Sequence, residues 1–172
     1  MAKKKKVNPR RIPLAKKEID KDEILWEASQ DDIHHAWLLV SVSLLEQGYE
    51  LDNLANAVDR YITNTSERNQ EKDLRRAEAL MGIPAPQVNL NISLVRSATD
   101  LCAYKKKVYN VCVYTALSLI FLGLESTGKF TLEELRRIFL NADLTRAEIE
   151  SGKGSYDELE KDLAARIGES QT

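Results

Sequence analysis

Residues 108–122 read Val-Tyr-Asn-Val-Cys-Val-Tyr-Thr-Ala-Leu-Ser-Leu-Ile-Phe-Leu, a run that is apolar on nearly every helical face. A helix of that kind has no side suited to water, so it must be enclosed by neighbours, lie in an oligomer interface or sit in lipid. Extended to Gly123 and Leu124 the run covers about 17 residues, the lower edge of what a bilayer span needs. Asn110 lies inside it and Lys105-Lys106-Lys107 stand directly before it. These features favour the central helix of a packed domain over a membrane span. Val108, Tyr109, Val111, Val113 and Tyr114 also suit a strand, but the length and continuity of the run favour a helix.

The flanking segments carry helical periodicity. Ile33, Ala36, Trp37, Val40 and Leu44 form one stripe, and Leu38, Val42 and Leu45 widen it, so residues 22–47 read as one helix stopped by Gly48. Leu54, Val58, Tyr61 and Ile62 give a second helix over 52–62, followed by a polar joint at 64–69. A charged helix over 71–81 ends at Gly82, and Pro84 and Pro86 stiffen a connector over 82–92. Thr131 and Glu134 form a capping box, with Phe130 and Leu135 as its apolar staple, predicting a helix from Leu132 to about Asn141. The pattern repeats at Thr145-Arg146-Ala147-Glu148 and at Ser155-Tyr156-Asp157-Glu158. It predicts a short helix and then a last one running to Ile167 and closed by Gly168. The expected fold is all-α, a compact helical domain of six to eight helices around a central apolar helix.

Charge is distributed unevenly. Lys3, Lys4, Lys5, Lys6, Arg10, Arg11, Lys16 and Lys17 give residues 1–17 eight basic groups and no acid, while the whole chain has 25 basic and 27 acidic residues. The remainder is therefore strongly acidic. Residues 1–17, with Pro9 and Pro13 and no periodicity, read as a disordered basic tail. Residues 18–172 read as a single acidic domain with an internal joint at 82–92. An acidic body repels polyanions, whereas the tail attracts them, so the tail with Arg96, Lys105, Lys106 and Lys107 is the candidate for nonspecific nucleic-acid contacts. Acids also outnumber bases over 130–167, which opposes helix-turn-helix docking there. Polar residues follow the basic opening where a secretory signal needs an apolar stretch, so a cytoplasmic location is expected. Cys102 and Cys112 are then expected to be reduced and buried.

The residue types that carry chemistry are sparse. His34 and His35 point about 100° apart on a helix and cannot converge on one metal. An Asp31/His35 pair at i, i+4 could belong to a hydrolytic or metal site, and an ordinary helix-surface pair, with the neighbouring His partly buried beside Trp37, accounts for the same residues. Cys102 and Cys112, roughly 15 Å apart along one helix, cannot form a disulfide within it. Residues 123–129, Gly-Leu-Glu-Ser-Thr-Gly-Lys, lack the first glycine of a phosphate loop and are followed by Phe130 in place of Ser or Thr. No cofactor, metal or catalytic residue is expected. Trp26 and Trp37, large rings on an early helix, are the candidate interface residues, and their exposure would support self-association.

Lys4-Lys5-Lys6-Val7-Asn8-Pro9-Arg10-Arg11-Ile12-Pro13, followed by Lys16, Ile19-Asp20 and a helix containing Ala36-Trp37, resembles the opening of small uncharacterised helical proteins encoded by phages and prophages of Gram-positive bacteria. The resemblance spans about residues 3–47. It implies a phage or mobile-element accessory protein acting inside a bacterial host, with no catalytic residues to carry over. Two readings follow: a non-enzymatic protein whose helical body binds a host or phage protein, or a nucleic-acid-associated protein anchored by its tail.

Overall fold

A computed structural model describes residues 20–65 and 70–170. The described part is all-α: α1 (Lys21–Ser29), α2 (Asp32–Glu46), α3 (Asp52–Thr65), α4 (Gln70–Met81), α5 (Ala98–Glu125), α6 (Leu132–Glu150) and α7 (Tyr156–Ser170). A 3-10 turn over Ile92–Leu94 precedes α5. The tail residues Lys3, Lys4, Lys5, Lys6, Arg10, Arg11, Lys16 and Lys17 lie outside the described residues.

The apolar run is indeed a central helix. α5 packs against α1, α2, α3, α4 and α6, and Val113, Leu117, Ile120, Phe121, Leu122 and Leu124 are buried in the principal core. Phe121 meets Phe139 of α6 edge to face, with ring centroids 5.1 Å apart. Each such side chain contributes roughly 1.5–3 kcal/mol on leaving water. The enclosure is incomplete along one line, where Val111, Thr115 and Leu119 at i, i+4 and i+8 stay partly exposed. At 28 residues α5 is longer than the apolar run, because the helix continues upstream through Lys105–Lys107 to a Ser97 cap. Its length and composition would suffice to cross a membrane, yet 67% of its most apolar stretch is buried against the rest of the protein.

Three boundaries differ from the periodicity. The segment read as one helix over 22–47 is two, α1 and α2, because the Ser29 hydroxyl and the Gln30 amide both donate to the Trp26 carbonyl and close the first helix. α6 does not end near Asn141: the Thr145 hydroxyl, read as a cap, donates instead to the Asn141 carbonyl at 3.1 Å, and the helix continues to Glu150. α7 runs through Gly168 to Ser170. The capping box at Thr131 and Glu134 forms as read, with both reciprocal bonds present. Gly48 and Gly82, at φ of +82° and +75°, end α2 and α4.

The connector between α4 and α5 is held by two tyrosines of α5. The Tyr114 hydroxyl donates to the Ile83 carbonyl at 2.9 Å, and the Tyr104 hydroxyl donates to the Leu90 carbonyl at 3.3 Å. Tyr104, Val108 and Cys112 form a second small core with Ile24 of α1. A third, of Leu38 and Val42 on α2 with Leu163 on α7, seats the last helix.

Candidate functional site

The two adjacent histidines both face α7. The His35 ring stacks on Tyr156 at the start of α7, with centroids 3.9 Å apart and planes 8° from parallel. Its Nδ1 lies 2.5 Å from the Tyr109 hydroxyl of α5. His34 places Nε2 3.5 Å from a Glu160 carboxylate oxygen of α7. Three helices thus meet at one aromatic–imidazole cluster.

Burial lowers the His35 pKa, and His34 adds to this, while Asp31, Asp157 and Glu160 pull the other way. Burial raises the Tyr109 phenol well above its ordinary value, with its neighbour Tyr156 adding to the shift. The Tyr156 phenol is likewise raised by burial, and its hydroxyl makes no hydrogen bond of normal geometry. A neutral imidazole and two neutral phenols are the forms this environment favours. They can pass one hydrogen bond, and their positions make them a clamp between helices. The candidate Asp31/His35 acid–base pair is linked by the backbone, His35 N–H to Asp31 carbonyl at 2.8 Å, while the ring turns to the tyrosines.

Beside the cluster, Arg146 of α6 bridges Asp143 and Glu150, at 2.6 Å to each, with only 16% of its side chain exposed. Lys106 of α5 donates to the Glu150 carbonyl at 3.1 Å. The end of α6 is thereby tied to the middle of α5.

The remaining candidates are scattered. Trp26 on α1 is 63% exposed and Leu25 beside it 53%, and Ile33 at the start of α2 is 45% exposed. Trp37 packs against the principal core and is only partly accessible. Lys105 pairs with Glu27 of α1 and Lys106 is held as described, so two of the three lysines are engaged within the protein; Lys107 and Arg96 are exposed. Arg96 precedes the α5 cap and stands nine residues before Lys105. Cys112 is buried as expected, but Cys102 is exposed because it lies on the outer side of α5. It borders a shallow groove of about 340 Å³ between α1 and α5, lined by Ile24, Glu27, Ala28, Lys105, Lys106 and Tyr109. Residues 123–129 form the end of α5 and a turn in which Ser126 and Thr127 bond back to the Gly123 and Leu124 carbonyls. Among the described residues no group of three or more His, Cys, Asp or Glu side chains is placed to hold a metal ion.

Tyr109 and Tyr156 are the members of the cluster that sequence patterning does not single out. Neither shares a local motif with His34-His35, and tyrosines on a core helix and on a capped first turn read as packing. No protein-family model, curated protein or solved structure matches the chain.

Proposed function

We propose that this chain is a non-enzymatic phage or mobile-element accessory protein that acts in the bacterial cytoplasm by binding a host or phage protein through its helical body. Modulation of replication, transcription or defence is the class of role that such binding serves. The observation that carries the reading is the corner between α1 and α2, where Trp26, Leu25 and Ile33 leave large apolar surfaces in water. Exposed aromatic anchors of this kind supply the central contacts of protein interfaces. The phage setting rests on the resemblance of residues 3–47. Self-association through the same corner is part of the proposal.

The test is capture of partners from the bacterial host by tagged full-length chain, with and without nuclease, against a Leu25→Ser/Trp26→Ala variant. One stoichiometric protein that survives nuclease and is lost with the variant supports the reading. Light scattering that shows a monomer at every concentration removes self-association.

A second reading, nonspecific nucleic-acid binding, is favoured by the eight basic groups of residues 1–17 and by exposed Arg96 and Lys107. It requires binding that falls steeply with salt and disappears when residues 3–17 are removed. The engagement of Lys105 and Lys106 within the protein shifts the weight of this reading onto the tail.

A further inference from the structure

α7 rests chiefly on one neighbour. Its principal packing partner is α2; Tyr156, in its first turn, also meets Tyr109 of α5, and Tyr156 and Leu159 pack on the edge of the principal core. Leu163 is the one buried residue among the described side chains of α7; Leu159 is half-buried and Ile167 is exposed. The seat is a stripe on α2, Leu38 and Val42 with Leu45 at its edge. Polar contacts mark both ends: His34 with Glu160 and His35 with Tyr156 near the start of α2, and Glu46 with Arg166 at 3.5 Å near its end. Contacts follow the same order along both helices, so α7 lies parallel to α2. The link back to α6, residues 151–155, contains Gly152 and Gly154, and Gly152 turns it at φ +83°.

We propose that the α2 face bearing Leu38, Val42 and Leu45 is a binding site for an amphipathic helix of another protein, held closed in this structure by the chain's own α7. α7 is the template for what fits. The occupant carries apolar residues at i and i+4, matching Leu159 and Leu163, to fill the seat. An acid directly after the first, as Glu160 is, meets His34, and a base three positions after the second, as Arg166 is, meets Glu46. A helix of 15 residues is marginal in water by itself, so the docked form of α7 depends on this seat. The five-residue link in turn supplies α7 at about millimolar effective concentration, which keeps the seat shut against weak competitors. A partner helix opens it by displacing α7 and taking over its contacts with the α2 stripe.

Use of the seat by a partner protein rests on the interaction role proposed above, whereas the seat itself is testable alone. A fluorescent synthetic peptide of residues 154–170 is titrated against full-length chain and against Leu163→Glu, followed by anisotropy. The variant weakens α7 in cis and leaves the seat intact, so it should bind the peptide at least about tenfold more tightly than the unaltered chain. A peptide with Leu159→Asp and Leu163→Asp should bind neither. Circular dichroism checks that Leu163→Glu retains the helical fold, and Leu159→Glu serves as the second opening variant. Equal binding of the peptide by the unaltered chain and both opened variants, or binding of the charged peptide, overturns the proposal. Tight peptide binding together with a failed partner capture overturns the interaction role and leaves the seat standing.

Discussion

Gly123 of α5 lies against the backbone of Val58 on α3, so closely that a Cβ placed at 123 would stand 3.1 Å from the Val58 Cα and 3.4 Å from the Tyr61 Cβ. The contact lets α3 approach the central helix. Alanine improves helix propensity by about 1 kcal/mol over glycine, but overpacking against a backbone atom costs roughly 1–3 kcal/mol. Gly123→Ala should therefore lower stability by about 1 kcal/mol despite its better propensity, and Gly123→Leu should lower it far more. Urea denaturation checks both, and a gain in midpoint for Gly123→Ala would show that α3 can shift to accommodate the methyl.

Tyr114 gives a second, smaller effect. Its ring is buried in the core while its hydroxyl holds the Ile83 carbonyl at the head of the connector. Tyr114→Phe keeps the packing and removes one hydrogen bond, at a cost of about 1 kcal/mol. Because the bond holds a segment with no helical ladder, amide exchange at Ile83 and Ala85, the two residues of 83–86 that carry a backbone N–H, should accelerate more than exchange within α5. Uniform acceleration across the chain would assign Tyr114 a global role.

Signals whose alternatives the sequence itself settles, by a reciprocal partner or by length and continuity, are realised in the structure. The reciprocal Thr131–Glu134 cap starts α6, and the all-round apolar 108–122 run becomes the helix against which five others pack. Signals with two meanings mislead. Thr145 offers its hydroxyl equally well to a helix start or to the carbonyl four residues back, and the buried face of α6, which carries Ala142 into the principal core, selects the second. The break at Gln30 falls in the polar stretch Ser29-Gln30-Asp31-Asp32, which also suits an exposed helical turn, and the Ser29 and Gln30 side chains make it by turning onto the Trp26 carbonyl. The histidine pair stands out in the sequence by its chemistry, but its partners are set by how α5 and α7 dock, and no spacing rule reports that.

His35 sets a pH dependence whose sign follows from its surroundings. Burial lowers its pKa, so the folded state favours the neutral ring more than the unfolded chain does. The stability this supplies is complete above the unfolded value near pH 6.5 and is lost as pH falls from there through the lowered folded value. Unfolding midpoints should decline between pH 7.5 and 5, and His35→Gln should flatten that decline. The carboxylates held low by hydrogen bonds, Glu134 and Asp100, lose their contribution only at more acidic pH and stay outside the window. An unchanged slope in His35→Gln would move the titration to another group.

The Asp143–Arg146–Glu150 bridge makes the strongest electrostatic prediction, because it is largely shielded from solvent. The two carboxylates are 26% and 22% exposed and share one guanidinium that reaches both at 2.6 Å. Removing the arginine leaves two like charges in a half-buried site, a loss of about 2 kcal/mol for Arg146→Ala. Lysine restores the charge but offers a single ammonium in place of a planar fork, so Arg146→Lys should recover only part of it. A surface bridge such as Arg75–Glu71, at least 74% exposed on both sides, should by comparison contribute under about 1 kcal/mol. Salt separates the two cases: 0.5 M sodium chloride should erase the effect of Arg75→Ala and leave most of that of Arg146→Ala. The mechanism is screening, which acts across water and weakly through packed protein. Equal salt sensitivity would place Arg146 in contact with solvent in the folded state.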